Sequence, residues 1–146
     1  MNIKLSELAS YLSTNFHGNN VCVNKIVTDS RKIKKGNLFI AISGKKYNGH
    51  DFITDAIQKG ASAVLCEKPE PLLDQNTPYI VVQDTIISLG VIALHYKIKL
   101  GDPFTIGITG TNGKTTVTKL THSILSESFR VSTTIGNFNN EIGLPL

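Results

Sequence analysis

The sequence predicts an α/β fold in two parts, a small α/β domain over residues 1–83 and the opening of a second α/β domain over 84–146. Three observations carry this reading. Through the first 83 residues, apolar runs of strand length alternate with stretches of helical period. Leu38-Phe39-Ile40-Ala41-Ile42 is nearly continuous in apolar side chains, the pattern of a strand covered on both faces. After Gly101-Asp102-Pro103 the pattern starts afresh as an apolar run, a glycine loop and a helix.

Ile3, Leu5, Leu8, Ala9 and Leu12 recur near a 3.6-residue period and predict a short amphipathic helix over 3–13. Residues 15–20, polar and containing Gly18, read as a loop. A strand follows over 21–28, ended by Asp29-Ser30-Arg31, and Lys34-Lys35-Gly36-Asn37 turns into the strand at 38–42. Residues 43–50 form a loop with two glycines. A helix is expected over 51–59, with Phe52, Ile53, Ala56 and Ile57 on one side and Gly60 as its C-cap. Residues 61–66 are a third strand; Pro69, Pro71 and Pro78 mark a surface loop; residues 79–82 are a fourth strand. Asp84 then caps a helix over 85–100. Residues 104–109 read as a buried strand, 110–113 as a glycine loop and 114–126 as a helix.

Composition excludes several classes. A chain of 146 residues that is 40% hydrophobic and 18% charged can bury a core, which rules out wholesale disorder. No apolar run approaches the length of a membrane span, and Glu7 interrupts the stretch where a signal peptide would be apolar, so the expected location is the cytoplasm. Cys22 and Cys66 sit in apolar strand contexts without metal-ligand spacing, and both read as small buried side chains. The net charge of +4 is modest. Its one cluster, Arg31-Lys32-Ile33-Lys34-Lys35, is short and lacks interleaved aromatics, which argues against nucleic acid. It is either a solvated basic loop or a patch facing an anionic small molecule.

The strongest chemical signal is Gly110-Thr111-Asn112-Gly113-Lys114-Thr115-Thr116. Two glycines let successive backbone N–H groups turn inward, and such a nest binds anions. The helix that begins at the loop's end points its positive pole at a bound phosphate. Lys114 supplies a point charge for β- and γ-phosphates, and the Thr115 hydroxyl that follows suits Mg²⁺. This is the start of a P-loop-type α/β ATP-binding domain, although Ile108 stands where the common Walker spacing has a glycine.

With that departure, residues 107–116 resemble the ATP loop of the Mur ligases, the enzymes that build the peptide stem of peptidoglycan. Folylpolyglutamate synthases carry a related loop but lack the domain that precedes it. Thr28-Asp29-Ser30-Arg31, Gly36-Asn37-Leu38-Phe39-Ile40-Ala41-Ile42-Ser43-Gly44 and Tyr47-Asn48-Gly49-His50-Asp51-Phe52-Ile53 resemble the N-terminal UDP-binding domain of the family's late-acting members. Gly136-Asn137-Phe138-Asn139-Asn140-Glu141-Ile142-Gly143-Leu144-Pro145-Leu146 resembles a stretch of the member that adds D-Ala-D-Ala to UDP-MurNAc-tripeptide. The member that adds the third stem residue shares the earlier stretches and usually differs in this one.

The resemblance implies an ATP-dependent amide ligation through an acyl phosphate, with UDP-MurNAc-tripeptide and D-Ala-D-Ala as substrates, ATP and Mg²⁺ as cofactors, and a monomer. It implies that Gly110, Thr111, Asn112, Gly113, Lys114, Thr115 and Thr116 bind ATP, with Lys114 catalytic and Thr115 on the metal. It also implies that Ser30, Arg31, Asn139 and Asn140 contact the UDP substrate. Read from the residues alone, Asp29 and Arg31 can equally pair to hold a turn, and Asn139 and Asn140 can form an Asx-type turn. His50 reads as structural, and His95 and His122 as core or surface histidines. The family's central and C-terminal domains continue well past the segment at 136–146. The chain is therefore expected to be a ligase cut short and inactive alone, or a UDP-binding remnant without catalysis.

Overall fold

The structure is a computed structural model and describes residues 1–44, 47–69, 76–134 and 140–146. The chain runs β1 (Ile3–Lys4), α1 (Leu5–Tyr11), β2 (Phe16–His17), β3 (Cys22–Val23), β4 (Lys25–Val27) and, after a 3₁₀ turn at Ser30–Lys32, β5 (Asn37–Ile40). A second 3₁₀ turn, Gly49–Phe52, leads into α2 (Ile53–Gln58), followed by β6 (Ala63–Cys66), β7 (Tyr79–Val81), α3 (Thr85–Lys99) and α4 (Lys114–Leu125).

The main sheet has the order β2-β7-β6-β5-β4. Its inner pairs are parallel, and β2 closes one edge in antiparallel fashion, Phe16 opposite Ile80 and His17 opposite Tyr79. Alternation along each central strand divides the core in two. Leu38, Ile40, Ala63, Leu65 and Ile80 face one side, where Leu5 and Leu8 of α1 and Leu89 and Ile92 of α3 cover them. Phe39, Val64 and Cys66 face the other, against Ile53 and Ala56 of α2 together with Val27 and Ile33. Of the unbroken apolar run at 38–42, the part within β5 (Asn37–Ile40) is a strand clad on both faces, as expected of a parallel arrangement; Ala41 and Ile42, also buried, continue past its end.

Several elements depart from the sequence expectations. The first helix begins at Leu5, because Ile3 and Lys4 pair with Val23 and Cys22 in a separate antiparallel ribbon. The strand expected over 21–28 divides at Asn24, whose N–H donates to Gly36 O and whose Oδ1 accepts from Asn37 Nδ2. The two halves, β3 and β4, then serve different sheets. Cys22 alternates with buried Val23 and is exposed, contrary to expectation, whereas Cys66 is buried. The loop at 15–20 contains the edge strand β2, with His17 stacked on Tyr79 at 4.6 Å between ring centroids. Residues 104–109, expected as a buried strand, form no strand among the described residues. Phe104 is 92% exposed, and an apolar run becomes a strand only with a ladder partner.

α3 begins the second part in the sequence reading, yet it is bound to the first sheet at both ends. Asp84 Oδ1 caps it by accepting from Ile86 N and Ile87 N, each at 2.8 Å. Thr85 N and Oγ1 donate to Glu67 Oε1 at 3.2 and 3.0 Å. At the far end Lys99 Nζ donates to Glu7 Oε1 at 2.7 Å, and His95 stacks on Tyr11 with centroids 4.4 Å apart. α4 differs: none of its residues is buried.

Candidate functional site: a cleft at the sheet edge and a glycine loop

The first candidate region lies at the carboxyl ends of β4 and β5, where backbone leaving a parallel sheet commonly meets ligands. A cleft of about 460 Å³ opens there, lined by Thr28, Ser30, Arg31, Phe39, Tyr47 and Phe52 among others. Asp29 shapes its rim. Its Oδ1 accepts from Arg31 N at 3.1 Å and so caps the 3₁₀ turn. Both carboxylate oxygens also accept from the Arg31 side chain, Nε and Nη2 each at 2.9 Å. That two-point hydrogen bond from Arg31 holds the Asp29 carboxyl down at about 2. Arg31 remains 83% exposed, so its outer N–H groups are open to an anion. Ser30 is buried and its hydroxyl bonds to Asp55 of α2, whose carboxyl is lowered first by Lys59 and then by Ser30. The sequence placed Ser30 and Arg31 together at a strand end, and the structure brings both to one cleft. The sequence did not single out Tyr47 and Phe52, two exposed rings that line the same cleft as Arg31. A planar base and an anionic group are the chemistry such a cleft accommodates.

The second region is the glycine loop. Gly113 precedes α4 with φ +78°, and Gly110 has φ +153°, conformations that side-chain-bearing residues resist. Lys114 opens the helix and folds its ammonium back over the loop, donating to Gly110 O and, at 3.4 Å, to Thr111 O. Thr118 Oγ1 donates to Lys114 O at 2.9 Å and steadies the first turn. The loop residues Gly110–Gly113, together with Lys114, Thr115 and Thr116, are exposed as one contiguous face. Among the described residues no group of three or more His, Cys, Asp or Glu side chains gathers where it could hold a metal. Asn140 Oδ1 accepts from Gly143 N at 2.7 Å, the Asx-type turn that its sequence context allows; Asn139 lies outside the described residues. His122 Nε2 stands 3.5 Å from Ser126 Oγ on the surface of α4.

A mostly parallel sheet with a cleft at its carboxyl edge, followed by a glycine loop feeding a helix, defines an α/β protein; in such folds these are places where phosphate-bearing ligands commonly bind. Residues 23–97 match the Mur ligase family, catalytic domain, and residues 108–146 match the Mur ligase middle domain. The chain belongs to the Mur ligase family.

Among curated relatives, the UDP-N-acetylmuramoyl-tripeptide–D-alanyl-D-alanine ligase of Bacillus subtilis (strain 168) is 41% identical over 124 residues, 85% of this chain and 27% of that protein. The UDP-N-acetylmuramoyl-L-alanyl-D-glutamate–2,6-diaminopimelate ligase of Parabacteroides distasonis is 40% identical over 76% of this chain and 22% of its own length. A crystal structure of MurF from Acinetobacter baumannii superposes with a TM-score of 0.91 at 26% identity, covering 99% of this chain and 32% of that one. MurF ligase from Thermotoga maritima in complex with ADP superposes with a TM-score of 0.71 at 33% identity, covering 84% of this chain and 28% of its own. The chain spans about a third or less of the length of the relatives it matches.

Proposed function

We propose that the chain carries the UDP-precursor cleft and the ATP phosphate loop of a ligase that joins D-Ala-D-Ala to UDP-MurNAc-tripeptide. The observation that carries this is the likeness to MurF over 99% of the chain, from the cleft through the glycine loop. In the reaction, the γ-phosphoryl group of ATP passes to the terminal carboxylate of the tripeptide and ADP leaves. The amine of D-Ala-D-Ala then attacks the acyl phosphate, the amide forms and phosphate departs.

The residues present suit the first half. The inward-turning backbone at 110–113 and the start of α4 offer N–H groups to phosphate oxygens. Lys114 would exchange its bonds to Gly110 O and Thr111 O for the phosphates, offsetting charge on the transferred group. The Thr115 hydroxyl would take Mg²⁺, whose charge offsets that of the β- and γ-phosphates. Arg31 and the rings of Tyr47 and Phe52 would hold the uridine diphosphate end, with the buried Ser30 shaping the cleft floor, and Asn139 and Asn140 would serve the same substrate. The packing of α3 on the first sheet supports a division between the two parts at the Gly101–Pro103 turn, later than residue 83. The same reading places the enzyme in the cytoplasm, as a monomer.

Calorimetric titration of the 146-residue chain tests the proposal. Mg·ADP and UDP-MurNAc-tripeptide should each bind, and Lys114→Ala should weaken Mg·ADP about tenfold or more while leaving the UDP precursor unchanged. With the loop exposed to water, no turnover is expected from this chain alone. ADP release that requires both UDP-MurNAc-tripeptide and D-Ala-D-Ala would overturn that part. The 40% identity to a diaminopimelate-adding ligase supports a second reading, in which UDP-MurNAc-dipeptide is the substrate. Tighter binding of the dipeptide than of the tripeptide precursor would favour it.

A further inference from the structure

One wall of the cleft is a loop that two adjacent residues pin in place. Gly49 N–H donates to Ile42 O at 2.8 Å, and a Cβ at position 49 would stand 2.5 Å from Ile42 N, so the loop has closed directly on the end of β5. His50 follows, 8% exposed, with both ring nitrogens engaged. Its Nε2 accepts from Glu67 N at 3.0 Å, and its Nδ1 lies 3.0 Å from Asn48 Oδ1. A nitrogen that accepts from a backbone N–H carries no proton, so the neutral ring holds its proton on Nδ1 and donates it to Asn48. Asn48 Oδ1 also accepts from His50 N at 3.1 Å and from Ser43 Oγ at 3.3 Å. On the other side, the Glu67 carboxylate accepts from Thr85 N and Oγ1 at the start of α3. One line of hydrogen bonds therefore runs from the cleft loop through an imidazole to the end of β6 and on to α3. His50 itself is absent from the lining of the cleft, whereas its neighbours Tyr47 and Gly49 belong to it.

We propose that His50 is a positioning residue for the nucleotide cleft: as the Nδ1–H tautomer it clamps the loop bearing Tyr47 and Gly49 to β6, and thereby sets the wall against which a uridine diphosphate group rests. This rests on the reading of the cleft given above. His50 acts through the loop and touches no ligand.

The test uses the 146-residue chain and UDP as the probe. Long-range proton–nitrogen NMR of the wild type should show His50 with a bare Nε2 and a protonated Nδ1; a proton on Nε2 at neutral pH overturns the proposal. His50→Ala should weaken UDP about tenfold. His50→Gln returns a side-chain oxygen that can accept from Glu67 N–H and should recover most of the affinity, with the Tyr47 and Gly49 amide shifts moving back toward wild type. Wild-type affinity in His50→Ala sinks the clamp and leaves the cleft reading standing. Failure of UDP to bind the wild type sinks the cleft reading and the clamp with it. Should His50→Ala not fold, His50→Gln and the wild-type tautomer decide: Gln with wild-type shifts and near wild-type affinity supports the clamp, and Gln with a displaced loop overturns it.

Discussion

Arg31 is only partly committed. Its Nε and Nη2 hold Asp29, and in the proposed function its remaining guanidinium N–H groups would meet a diphosphate. The Asp29 carboxyl titrates at about 2 against an ordinary value of 3.8. A depressed carboxyl contributes stability in full above its unfolded value and loses it as pH falls through the folded one. The pair should therefore stabilise the fold above about pH 4 and fade toward pH 2. With Arg31 so exposed, solvent screens the pair and its contribution is small. Urea midpoints of Arg31→Ala and wild type, compared at pH 6 and pH 2, should differ slightly at the first and converge at the second, while UDP affinity at pH 6 falls in the variant. Both open readings of Asp29-Ser30-Arg31, a turn clip and a ligand contact, thus draw on different N–H groups of the same guanidinium. Nothing in the sequence could separate them, since the pair is local and the cleft is made by Phe39, Tyr47 and Phe52 from elsewhere. Glycines divide the same way. Gly49→Ala meets the Ile42 backbone and should cost about 1–3 kcal/mol or more, whereas Gly90, with open space around it in the middle of α3, should gain about 0.5–1 kcal/mol as Ala.

At the scale of elements, α3 and α4 look alike in sequence and differ in energetics. α3 buries Thr85, Ser88, Leu89 and Ile92 against the sheet, while α4 buries none of its residues. Leu89→Ala should lower unfolding stability by about 2–5 kcal/mol, and Leu120→Ala on α4 should change it by less than about 0.5 kcal/mol; chemical denaturation of the two variants measures the contrast. The helices and the central strands β5, β6 and β7 were legible because each carries its own period, cap or glycine stop. β1 and β2 were not, because two residues are too few to show a period. Residues 104–109 have the composition of a strand, but composition names a candidate and a hydrogen-bonded neighbour makes it one.

For the whole molecule, the cladding is uneven. The described residues of 3–99 build a five-stranded sheet with helices on both faces and a small two-stranded ribbon, and the exposed α4 presents Val117, Leu120 and Ile124 to solvent. Amide hydrogen exchange of this chain should fall into two tiers, slow in β5, β6 and the inner face of α3, and fast throughout α4, since a 12-residue helix without burial is marginal. Uniform protection across both would show that α4 is covered in solution.

The ties at both ends of α3 have one more consequence. A helix of 15 residues is a rod of about 22 Å. Glu67, whose N–H donates to His50 next to the cleft loop, fixes one end, and Glu7 fixes the other just before the chain departs for the glycine loop. In the proposed function α3 would serve as a spacer between the two subsites: its count of residues sets the span from the cleft loop to the point where the chain leaves for the glycine loop. Adding four residues to its middle would move one end by about 6 Å relative to the other, so the ties at Glu67 and Glu7 could no longer both hold.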